Sequence, residues 1–141
     1  MRTLKMIFAA LLVLAVVTLA RQAPVAAPPS LIFLAGTVQP VGSGWTLISD
    51  TRHQPQGLGV PTCDAVTGWL HVPYLAPIPH VVGSAVMTDE DWSRAGIIAG
   101  ASVGLTDVVV LFTRVGSTGP IPVSCSAMVQ PGNLWVEVIG A

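Results

Sequence analysis

Charge is scarce in this chain: only 9% of its 141 residues are Asp, Glu, Lys or Arg, against 52% hydrophobic. Intrinsic disorder needs low hydrophobicity and high net charge, so the composition excludes it. Positive charge is scarcer still beyond the start, because Arg2, Lys5 and Arg21 are three of the six basic residues. From residue 22 onward Arg52, Arg94 and Arg114 stand against seven acidic residues, a net of −4. A domain without a basic stripe cannot neutralise phosphates, which excludes a nucleic-acid partner. The three histidines, His53, His71 and His80, lack the spacing of a metal site. Asp89, Glu90 and Asp91 lack the glycine-punctuated oxygen loop that holds calcium and read as a solvated cap. No metal or cofactor is expected.

Long apolar runs are limited to one. Met6 to Ala20 carries no charge over 15 residues, with Arg2 and Lys5 before it and Arg21 after it. A basic stretch followed by an apolar one of this length reads as a secretory signal or a short signal anchor. A spanning helix usually needs about 17–25 apolar residues, so the length favours a signal over an anchor. Residues 22–30 follow as a Pro/Ala linker, whose prolines block helix continuation. The rest, 31–141, has the size of one small domain. Its low charge over much apolar surface points to cover by further copies or by a partner.

Cysteine is limited to Cys63 and Cys125. In an oxidising compartment they would pair, closing a loop worth about 4 kcal/mol in the chain-entropy model. Without export they would read as two buried thiols, small apolar residues in effect.

What remains is a regular alternation of short apolar runs and turn residues. Strands are expected over 31–38, 45–49, 58–63, 69–75, 80–88, 97–103, 108–115, 123–129 and 134–139. Leu134, Val136 and Val138 fall on one face and Trp135, Glu137 and Ile139 on the other; Leu70, Val72 and Tyr74 alternate likewise with Trp69, His71 and Pro73. The run 108–112 is apolar on both faces, as in a central strand. One short helical turn is expected after Thr88, with Thr88 and Asp91 as a capping box. The fold class is therefore all-β, a single small antiparallel β-sandwich or barrel preceded by an N-terminal hydrophobic helix.

Gly100-Ala101-Ser102-Val103-Gly104 matches the G-x-S-x-G nucleophile elbow. That motif needs a strand, a sharp turn and a helix around the serine, and a later histidine. Every histidine precedes Ser102, and a strand follows it, so small residues in a strand that packs closely or bends are the better reading. No catalytic residue is expected. Of the four tryptophans, Trp45 and Trp135 read as core or interface packing, whereas Trp92, beside three acids, reads as an exposed contact.

Several pieces carry a resemblance: Gly44-Trp45, Asp50 with His53, Pro55 and Gly57, the run from Trp69 to Val72 with Tyr74, Thr88-Asp89-Glu90, residues 100–105, and Leu134-Trp135-Val136. Over residues 36–141 the chain resembles the small β-rich C-terminal domains of minor tail proteins from phages of actinobacteria. The resemblance implies a virion or surface β-module, oligomeric (a trimer included), that mediates attachment or assembly and performs no catalysis. Its loop contacts would be Asp50, His53 and Trp92, toward a host-surface protein, a glycan or other virion proteins. Those domains close long tail polypeptides and need no disulfide, whereas here a leader, a linker and two cysteines are present. An exported or membrane-anchored cell-envelope binding protein of an actinobacterium is the alternative, with membrane contact through Met6 to Ala20. A secreted serine hydrolase using Ser102 is the remaining one.

Overall fold

The computed structural model describes residues 30–49, 54–128 and 131–141. The apolar run from Met6 to Ala20, expected as a helix, lies outside them, as do Asp50 and His53. Among the described residues nine strands, one short helix and one 3-10 turn build two antiparallel sheets. The first sheet has the order β2 (Gly44–Ile48), β1 (Ile32–Val41), β9 (Leu134–Gly140), β5 (Val81–Thr88). In the second, β3 (Thr62–Cys63), β4 (Leu70–Pro73), β7 (Asp107–Gly116) and β6 (Ile97–Val103) lie side by side. The fifth strand, β8 (Gly119–Val123), pairs with β7 beyond the end of β4, both lying on the edge of β7 opposite β6. The all-β expectation holds, and two packed sheets replace the barrel option.

Period-two alternation decides which side chains enter the core. Leu134, Val136 and Val138 are buried while Trp135, Glu137 and Ile139 are half-buried on the outer face. Leu70 and Val72 face Val108 and Val110 inside the second sheet. β7 is central as its composition implies, yet Val109 and Leu111 on its outer face stay partly exposed. The sheets meet at one end through three aromatic rings. Trp45 of β2 stacks on Phe112 of β7 at 5.6 Å between centroids, and Trp92 meets both edge-on at 5.9 and 5.7 Å.

Cys63 and Cys125 are joined, with 5.7 Å between their Cα atoms. The bond ties β3 to the 3-10 turn Cys125–Ala127, and the Trp45 indole donates to the Cys125 carbonyl at 3.1 Å. Disulfide and indole together hold this turn against both sheets.

Two expected strands differ, and one strand was not expected. The stretch 123–129 is not a strand: Ser124 caps the 3-10 turn, its hydroxyl accepting from the Ser126 amide at 3.3 Å. The strand lies just before it, at Gly119–Val123, and includes Pro120 and Pro122. Prolines survive there because β8 is an edge strand with one side unpaired. Within 58–63 only Thr62–Cys63 is strand, and Leu58 makes an isolated bridge to Tyr74.

Candidate functional site

Trp92 is corrected from exposed contact to core residue: it is 3% exposed. The helix α1 (Glu90–Arg94) is capped by Asp89, one residue later than the expected Thr88. The Asp89 carboxylate accepts from the Trp92 amide at 3.1 Å and from the Asn133 amide at 2.6 Å. The second bond fastens the helix start to the approach of β9. Within the short helix Glu90 and Asp91 face solvent, and the indole turns inward onto Trp45 and Phe112. Gly132 leaves the room for it, since a Cβ there would overlap the Trp92 indole nitrogen. Three neighbouring acids suggested solvent, but a helix turn separates what adjacent positions share.

The surface that collects aromatic and polar groups belongs instead to the outer face of the first sheet. Ile48, Thr37, Trp135 and Met87 are in register across β2, β1, β9 and β5, forming one row over all four strands. With Thr88, Asp89 and Asn133 they line an open groove of about 460 Å³. Trp135 is half-buried in it, and its indole lies 3.5 Å from the Glu137 carboxylate, the only charged side chain on that face of β9. Sequence reading treated Trp135 as packing. Its place on the outer face was legible from the alternation of β9, but the row beside it required the register. Asp50 and His53 lie outside the described residues; Ser49 and Gln54 on either side of that stretch approach at 3.4 Å, Oγ to Oε1.

On the second sheet Trp69, 42% exposed, joins Leu111, Thr113 and Pro122 in a groove of about 320 Å³. Farther along the same outer face His71 Nδ1 lies 3.0 Å from Asp107 Oδ2, with side chains 35% and 29% exposed. Sequence reading missed this pair, because 36 positions separate residues that β4 and β7 bring together. Behind it Tyr74 is buried and donates to the Gly104 carbonyl at 3.3 Å. Burial, and secondarily the Asp107 carboxylate, push the phenol up to about 12. Asp64 lies beyond on the loop after β3; the Val66 amide and then the Thr67 hydroxyl hold its carboxyl below the usual range.

Ser102 sits within β6, exposed on the outer face, in one row with Val109 and His71. Val109 occupies the strand between them, so serine and histidine stand about 9–10 Å apart at a ~4.8 Å strand spacing. A nucleophile and its base need about 2.6–3.2 Å. Close packing does not explain Gly100, where an added Cβ meets nothing within 4 Å, but it fits Gly104, where a Cβ would come within 3.3 Å of Asp107. No group of three metal-ligating side chains occurs among the described residues. No family model matches the chain, and neither the curated proteins nor the solved structures yield a match to it.

Proposed function

We propose that residues 31–141 form a non-enzymatic binding module for attachment or assembly, borne on a phage virion or at an actinobacterial cell surface, and that the Trp135 groove is its contact site. The observation that carries this reading is the row Ile48, Thr37, Trp135, Met87 with Asn133 and Asp89 at its end. A partly exposed indole offers a flat apolar face on which a sugar ring stacks, and the amide, hydroxyl and carboxylate groups around it match sugar hydroxyls. A glycan of the cell envelope is therefore the ligand class. The Cys63–Cys125 bond supports maturation in an oxidising compartment, in line with removal or anchoring of the apolar run that ends at Ala20.

Two measurements test the reading. The full chain, titrated with purified actinobacterial cell-wall sacculi, is expected to sediment with them, and Trp135→Ala to weaken that binding at least about tenfold. Equal binding by wild type and variant removes the groove from the function. Mass spectrometry of the chain recovered from its producing cells is expected to show a start near Arg21. An intact Met1 in a detergent-free soluble particle rules out export and leaves a virion assembly role.

A further inference from the structure

The lateral edges of the two sheets are unequal. On one side β3 has two residues, β8 contains Pro120 and Pro122, and the five-residue β2 ends early, Gln56 taking its place beside Ala35 of β1. These are devices that blunt a sheet edge. On the other side lie β5 and β6. The pairing of β5 is broken by a bulge between Val81 and Gly83. β6 is covered at its first residue, where the Thr88 hydroxyl of β5 donates to the Ile97 carbonyl at 3.4 Å, and has no such device beyond it: Ile97 to Val103 is seven residues without charge or proline, in unbroken register with β7. An antiparallel strand spends only alternate backbone groups on one neighbour. Among the described residues, the amides and carbonyls of 98–103 make no backbone hydrogen bond outside the pairing with β7. Ile98 and residues 100–102 are exposed.

We infer that β6 pairs antiparallel with β6 of a second copy of this chain, about a two-fold axis at Gly100, joining the two five-stranded sheets into one. The strand matches itself. Centred there, Ile97 opposes Val103, Ile98 opposes Ser102, and Ala99 opposes Ala101, so inward residues meet inward ones. Ala101, inward-facing opposite Val110 yet exposed in the monomer, is covered. A two-fold axis sets like residues near each other, and the uncharged strand brings no like charges together. At the axis two glycines meet, with open space where a Cβ would be. The far edge of the same sheet is blunted by β3 and β8, so the pairing closes as a dimer and does not continue as a fibre.

Sedimentation equilibrium of the full chain at about 100 μM should give twice the chain mass, since even weak interfaces are populated there. Ala101→Lys should raise the dissociation constant at least about tenfold while far-UV circular dichroism stays unchanged. Gly100→Cys supplies an independent, register-specific reading. Residues facing each other across the axis have Cα atoms about 4.5–5.5 Å apart, inside the ~4.4–6.8 Å that a disulfide accepts. It should form an inter-chain disulfide under mild oxidation faster than Val66→Cys, whose position is 95% exposed. A monomeric wild type overturns the inference. So does an oligomer indifferent to Ala101→Lys, or Gly100→Cys cross-linking no faster than Val66→Cys, because association then uses another surface such as residues 1–29.

Discussion

Tyr74 is the only tyrosine of the chain, which makes its surroundings measurable in isolation. Burial and the nearby Asp107 carboxylate disfavour the phenolate, so the folded phenol ionises near 12 and the unfolded one at 10.0. Between those values the unfolded state has lost a proton that the folded state keeps. Stability therefore falls as pH rises from 10 toward 12, and is unaffected by this group below 10. Absorbance titration of the phenol should show one transition near 12, and Tyr74→Phe should flatten the alkaline fall in unfolding free energy while losing about 1 kcal/mol at neutral pH with the bond to Gly104. A midpoint near 10 in the folded protein would contradict this burial. Trp92 allows a second residue-scale prediction. Trp92→Ala empties the space between Trp45 and Phe112 and should cost about 3–5 kcal/mol in urea unfolding. Gly132→Ala forces a Cβ into the same indole and should cost about 1–3 kcal/mol, by overpacking and not by a cavity.

At the scale of elements, α1 is one and a half turns long and cannot hold itself together. Asp89 holds it by satisfying one amide of its own helix and one of Asn133, just before the neighbouring strand β9 at the same end of the sheet. Asp89→Ala leaves both amides without that acceptor and should destabilise by about 2 kcal/mol, more than a simple cap deletion of ~1. Asp89→Asn keeps an acceptor for Trp92 and should recover part of the loss; equal losses for both variants would mean that the charge, and not the cap, carries the effect. Most strands were legible locally. Gly42 turns β1 into β2 at φ +60°, and alternation reproduced the inward and outward faces of β4 and β9. β8 was hidden because two prolines look like a turn until a neighbour is known to bond only one side. The stretch after it looked like a strand because Val123, Met128 and Val129 are apolar, whereas Ser124 and the disulfide fold it into a tight turn.

The whole molecule depends on the link between Cys63 and Cys125, which spans 62 positions. Closing a loop of that size is worth about 4 kcal/mol in the chain-entropy model, a large share of the ~5–15 kcal/mol of a typical domain. The Cys63→Ala, Cys125→Ala double variant should lose about that amount, read from the urea midpoint at unchanged slope. A loss below about 1 kcal/mol would show that the reduced chain is already held in shape by packing. The same bond fixes the turn whose carbonyl receives the Trp45 indole, so the double variant should also disturb the near-ultraviolet dichroism of the three-ring cluster.

Sequence alone determined the all-β class, the alternation that divides inside from outside, and the pairing partners available to two lone cysteines. Each follows from side-chain chemistry and a period of two, properties that neighbouring residues carry without knowing the fold. It could not determine which exposed aromatic matters. Trp92 looked open because its neighbours are acids, yet Asp89 and Gly132 bring a distant strand over it. Trp135 looked like packing, yet its groove exists only because four strands align Ile48, Thr37 and Met87 beside it. His71 and Asp107, and the bare edge of β6, are likewise products of register. Which strands lie side by side is set by contacts between residues far apart in the chain, and only the tertiary structure decided it.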